Sequence, residues 1–127
     1  MARVALDADV IIAFLDPGDA QHDVAVQALG PHLAAGDELL VGATVYAEVI
    51  VRPLQRGTAG RVDEFLAAIG AQVVDVDRLL ARTAADLRAR HRRLRLPDAV
   101  ALATALTRGA QFLTLDRDLQ QIVASES

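Results

Sequence analysis

Short apolar runs alternate along the chain with longer stretches in which apolar residues return every three or four positions. The first run, 4–6, predicts a buried strand, and 10–15 predicts a short helix after a turn at Asp7. Asp16-Pro17-Gly18-Asp19 predicts a turn, with Asp19 as a candidate cap for a helix over 20–35. Gly36-Asp37 closes that helix, and 39–41 predicts a second strand. A helix over 44–55 carries Val45, Tyr46 and Val49 on its apolar side, with Pro53 expected to kink or close it. Residues 58–69 predict another helix closed by Gly70, 73–74 a third strand, and 78–93 a long helix. Leu96-Pro97-Asp98 opens a helix over 99–108 stopped by Gly109. A fourth strand over 112–115 and a last helix over 119–124 flank Asp116-Arg117-Asp118. Strands alternating with helices predict an α/β fold with a mostly parallel sheet of four to five short strands. No repeat, linker or low-complexity segment divides the 127 residues, so one domain over 1–127 is expected.

Composition narrows the chemistry. Hydrophobic residues make up 53% of the chain but aromatic ones only 3%, so the core is expected to be built from Ala, Val, Leu and Ile. No apolar run approaches the ~20 residues of a membrane span, and a soluble cytoplasmic protein is expected. Without cysteine there is neither a disulfide framework nor a thiolate metal site. Every basic side chain is arginine. The missing lysine excludes Schiff-base chemistry and a lysine phosphate clamp. A net charge of −4 argues against coating nucleic acid by a bulk positive field, but leaves room for local arginines.

The acids carry the functional signal. Asp7 ends the first strand and Asp116 the fourth, while Asp98 heads the helix just before that fourth strand. Each alone reads equally as a helix cap, and Glu48 as an i,i+4 partner of Arg52. In a parallel sheet, however, Asp7, Asp98 and Asp116 point into one rim, where open α/β sheets place their sites. Carboxylates gathered so closely raise one another's pKa unless a cation neutralises them. An all-oxygen set without histidine or cysteine suits Mg²⁺ or Mn²⁺ better than zinc or copper. The three histidines, His22, His32 and His91, read as surface residues. The run 88–95, R-A-R-H-R-R-L-R, is the one dense positive patch; Arg88, Arg92 and Arg95 fall roughly on one helical face. It reads as a solvated helix end, as a clamp on an RNA backbone or as an anchor for a partner's acidic tail.

Four motifs spread over the chain carry a family resemblance. L-D-A-D-V-I-I (6–12), T-V-Y-A-E-V (44–49), L-P-D-A-V-A-L-A-T-A-L (96–106) and F-L-T-L-D-R-D-L (112–119) resemble the PIN-domain ribonucleases, most of all the VapC toxins of VapBC toxin–antitoxin modules. The resemblance implies a three-layer α/β/α sandwich and a Mg²⁺- or Mn²⁺-dependent endoribonuclease. It also implies that Asp7, Glu48, Asp98 and Asp116 form the acidic metal site. Thr114 and Asp118 match supporting positions. Asp9 stands where relatives more often carry Asn, Ser or Thr, and is expected in a supporting role. An RNA substrate such as tRNA or ribosomal RNA, a VapB-type antitoxin and homodimerisation are implied in the same way. Two other readings compete. One is a catalytically silent PIN-like binding module; the other is a haloacid-dehalogenase-type phosphatase, suggested by D-A-D after a strand but weakened by Val10-Ile11 and the missing lysine.

Overall fold

The computed structural model describes residues 1–126. Among these, four strands, β1 (Arg3–Leu6), β2 (Glu38–Gly42), β3 (Gln72–Val74) and β4 (Gln111–Leu113), form a wholly parallel sheet in the order β3-β2-β1-β4. Helices α1 (Ala8–Leu15), α2 (His22–Ala35), α3 (Ala43–Arg56) and α4 (Ala59–Ala68) occupy the first half of the chain. Helices α5 (Arg78–Arg90), α6 (Leu96–Thr107) and α7 (Arg117–Ser125) complete it.

The layers follow from the two-residue period of the central strands. Val4 and Leu6 of β1, with Leu39 and Val41 of β2, pack into one core cluster with Val10, Ile11, Leu29, Val45 and Val62 from α1 to α4. Ala5 and Leu40, which alternate with them, point into a second cluster with Leu80, Leu87, Leu102 and Leu119 from α5 to α7. Both faces of β1 and β2 are thus covered, which is why these strands read as unbroken apolar runs. The expected three-layer sandwich is what forms. No helix among the described residues is long and apolar enough to cross a membrane.

Several boundaries differ from the sequence reading for physical reasons. Pro53 does not close α3, which continues to Arg56 and ends at Gly57 with φ 73°. A proline in the last turn forfeits one N–H bond there, while the glycine supplies the left-handed stop. Asp19 is not the cap of α2: its Oδ1 accepts from the Gln21 N–H at 2.8 Å in a local turn, and the helix begins at His22. α5 stops at Arg90, short of 93, because Leu94 is drawn into the second cluster through a turn closed by its N–H on the His91 carbonyl at 3.0 Å. Arg88, Arg92 and Arg95 therefore share no helix face. The histidines are half-buried local ties and not surface residues: His22 Nδ1 lies 2.8 Å from the Ala13 carbonyl, His32 Nδ1 2.8 Å from Asp37, and His91 Nε2 2.8 Å from Glu126.

The last tie joins the end of α7 to the end of α5. Arg90 grips Glu126 with both arms of its fork, Nη1 to Oε2 at 2.6 Å and Nη2 to Oε1 at 3.0 Å. Bidentate charge-assisted bonds of this kind are the stronger ones. With Arg90 first and His91 second, they hold the Glu126 carboxyl down at about 2. A carboxyl depressed in the folded state adds stability that is present above its unfolded pKa and is lost as pH falls through the folded value. Glu126→Gln should therefore lower the melting temperature at pH 7. The gap from wild type should close as pH falls from about 4.5 towards 2, as read by thermal unfolding across that range.

Candidate active site

The chain steps from β1 to β2 to β3 in one direction and then crosses back, so that β4 lies on the other side of β1. The order reverses between β1 and β4, and ligands of open α/β sheets bind outside the carboxyl ends of the strands at such a point. Leu6 is level with Leu113, and the Asp7 N–H donates to the Leu113 carbonyl at 2.9 Å. Asp7 and Thr114 are thus the first residues past the ladder, side by side although 107 positions apart.

β4 ends at Leu113 and not at 115, because the polar groups that follow it turn to these acids. The Thr114 hydroxyl donates to Asp7 Oδ2 at 2.8 Å and accepts from the Asp116 N–H at 3.2 Å. The Leu115 N–H donates to Asp9 Oδ2 at 3.1 Å. Gln120, which drew no attention in the sequence, donates from Nε2 to the Thr114 carbonyl at 2.8 Å. Asp7 and Asp116 cap helices as well as facing the rim. Asp7 Oδ1 accepts from the Ala8 N–H at 2.8 Å, and Asp116 Oδ1 accepts from Leu119 at 3.1 Å. Cap and site acid are one residue in both cases. Asp98 is not the cap of α6, a place taken by Arg95; it sits in the first turn, 3.4 Å from the exposed Arg95 Nε. The Glu48–Arg52 pair does not form: Glu48 is exposed and makes no ion pair among the described residues.

Electrostatics ties the four acids together. Asp7 is 8% exposed, and burial pushes its carboxyl up; the Thr114 and Ala8 hydrogen bonds oppose this, while repulsion from Asp98 and Asp116 adds to it. Burial, then Asp7 and Asp98, raise Glu48, with Arg95 opposing. Burial and then Asp7 push Asp9 up to about 6. Asp9 Oδ1 is buried with no hydrogen-bond partner. The fold therefore gathers Asp7, Glu48, Asp98 and Asp116 within electrostatic reach and leaves their repulsion only partly offset. It does not close them into a shell: among the described residues no three Asp, Glu or His stand close enough to hold one ion.

Asp98, Asp116 and Asp118 line a cavity of about 640 Å³ together with Arg90, His91, Arg92, Arg93 and Arg95. Arg92 and Arg95 thus meet the acids, but on a turn; Arg88 stays outside. Arg93 and His91 are lining residues that the helical reading of 78–93 hid.

Thr114 is 3% exposed and satisfies two site residues at once. Thr114→Val keeps its shape but strips Asp7 Oδ2 and the Asp116 N–H of a partner. It should destabilise the protein by about 1–3 kcal/mol in denaturant unfolding, while Thr114→Ser should lie near wild type.

Comparison with known proteins follows the same lines. A chain of a toxin–antitoxin complex from Klebsiella pneumoniae superposes with a TM-score of 0.73 at 24% identity, over 89% of this chain and 86% of that one. A Mycobacterium tuberculosis VapC toxin that cleaves the sarcin–ricin loop gives 0.72 at 21% identity, over 93% of both chains. A VapBC complex from Rickettsia felis, bound to a promoter DNA fragment, gives 0.75 at 13% identity over 94% and 92%. No curated protein matched in sequence. The family description that does match is the PIN domain, over residues 4–124. With that match spanning both strand ends that carry Asp7 and Asp116, this chain belongs to the PIN domain family.

Proposed function

We propose that the chain is a divalent-metal-dependent endoribonuclease acting as the toxin of a toxin–antitoxin module. The observation that carries this reading is the meeting of Asp7 with Thr114 and Asp116 at the β1/β4 reversal, with Asp98 and Glu48 repelling Asp7 from neighbouring helices. Oxygen donors whose mutual repulsion is only partly offset, and a buried Asp9 Oδ1 without a partner, suit a hard cation such as Mg²⁺ or Mn²⁺. Asp7, Asp98 and Asp116 would hold it, joined by Glu48. When bound, such an ion supplies an activated water near neutral pH and stabilises the leaving oxygen.

The chain's own residues do the rest. Thr114 and the Ala8 N–H fix the Asp7 carboxylate in one orientation. Glu48 carries no counter-ion, so its carboxylate is available to take the proton of the attacking water or to complete the ligand set. Asp9 and Asp118 support the rim, the first through Leu115 and the second from the exposed first turn of α7. Arg92, Arg93 and Arg95 line the same cavity as Asp98 and Asp116, Arg95 directly beside Asp98, and bind the phosphates of the RNA near the cut.

A second groove, of about 500 Å³, supports a protein partner. Apolar Ile12, Leu15, Val49, Pro53 and Val62 line it with Arg52, Arg56 and Arg61, and the acids Asp16 and Glu48 also reach it. An antitoxin segment with apolar and acidic side chains fits this surface, and the toxin–antitoxin complexes among the structural neighbours favour such a partner. Homodimerisation belongs to the same reading. The silent binding-module alternative draws on the open spacing of the acids, and one experiment separates the two.

Wild-type protein should cleave RNA with Mg²⁺ or Mn²⁺ and stop in excess chelator. Asp98→Asn, folded by circular dichroism, should lose more than the roughly 10–100-fold that outer partners of a metal site cost. Full activity in that variant would sink the assignment. In RNA-binding titrations, Arg92→Ala should weaken affinity for all sequences and reduce the slope of log affinity against log salt by about 0.7–1.

A further inference from the structure

The hydroxyl and the carbonyl of Thr114 are both committed, and one of their partners comes from outside the acid cluster. The hydroxyl serves Asp7 and Asp116; the next N–H, from Leu115, serves Asp9; the carbonyl accepts from Gln120 Nε2 at 2.8 Å. Gln120 lies on α7, where its own N–H donates to the Asp116 carbonyl at 2.9 Å. One residue therefore grips both ends of the turn 114–116, through its side chain at Thr114 and its backbone at Asp116. Its backbone bond is ordinary helix geometry. Its side-chain bond is not, because β4 ends at Leu113 and no ladder claims the Thr114 carbonyl. Gln120 is absent from the cavity lining and, among the described residues, makes no hydrogen bond to the Asp7, Asp98 or Asp116 carboxylates.

We propose that Gln120 is a positioning residue of the active site: by holding the Thr114 carbonyl, it sets the turn that spaces Asp7 from Asp116. This rests on the metal-dependent reading above for its functional consequence, but not for its structural one. Free of Gln120, the turn keeps its hydrogen bonds to the acids only while the acids themselves stay still. Site constellations need support of this kind, since outer partners decide how well the inner ones are held.

Three substitutions separate positioning from helix stability and from simple charge. Gln120→Ala removes the donor. Gln120→Glu also removes it, yet an acid near a helix N-terminus favours the macrodipole and adds negative charge near a cation site. Gln120→Lys restores a donor of similar reach while opposing both of those effects. In metal-free protein, hydrogen exchange at the Leu115 and Asp116 amides should quicken roughly five- to tenfold in the Ala and Glu variants and stay near wild type in Lys. In calorimetric titration with Mg²⁺ or Mn²⁺, Ala and Glu should weaken binding roughly tenfold, and Lys should recover most of it. Melting temperatures should follow a different order, with Glu at least equal to Lys.

Unchanged exchange at both amides in Gln120→Ala overturns the proposal. So does tighter divalent binding in Gln120→Glu, which would mark a plain charge effect, or a Lys variant no better than Ala. If the wild type binds neither ion, the metal reading fails, and the exchange comparison still decides whether Gln120 sets the turn.

Discussion

The parallel pairing of β1 with β4 is the constraint on which the site depends. It joins the first strand of the chain to the last and runs one step past the ladder, through the Asp7 N–H on the Leu113 carbonyl. That step fixes the backbone of Asp7 beside Thr114, so the threonine hydroxyl meets a carboxylate that is almost out of water. A buried carboxylate without such a donor is costly. The strand pairing and the threonine together allow an acid to sit at the mouth of an Ala-, Val- and Leu-rich core.

The acids of the rim work against one another, and the fold gives two of them, Asp7 and Asp116, a second duty. Asp7 caps α1 and Asp116 caps α7, each accepting a backbone N–H that would otherwise lack a partner. The hydrogen bonds offset the repulsion without removing it, and Asp7, Asp9 and Glu48 remain pushed upward. A site in this condition is held open by its scaffold, and in the proposed reading a cation would complete it. The same double use makes the cap-or-ligand question, which is hard to decide from one residue at a time, a false choice.

Arginines and acids meet in one cavity in a way that no helical wheel predicts. Ending α5 at Arg90 turns the arginine run into a bend, held by buried Leu94. Arg90 is drawn to Glu126, whereas Arg92 and Arg93 make no ion pair among the described residues and share the cavity with Asp98 and Asp116. The basic part of the lining is therefore made by a turn packed on the second core cluster, next to the helix that presents Asp98.

The amino-acid sequence by itself determined the α/β alternation, the parallel sheet, the two strand ends carrying Asp7 and Asp116, and the motif set that marks the PIN-domain resemblance. These are local properties: apolar period, turn residues and the abrupt change from apolar to acidic at a strand end. It also read element ends less well, at Pro53, at 90–95 and after Leu113. The first is set locally by Gly57, and the other two by packing or by a group distant in sequence, as with Leu94 in the core or Asp7 accepting from Thr114. Only the tertiary structure decided that Asp7 and Thr114 are neighbours, that Glu48 makes no ion pair among the described residues, and that Gln120 donates to the Thr114 carbonyl. Register between strands 107 residues apart leaves no periodic trace along the chain. A hydrogen bond from a helical glutamine to a lone carbonyl leaves none either, because it depends on where two elements come to rest.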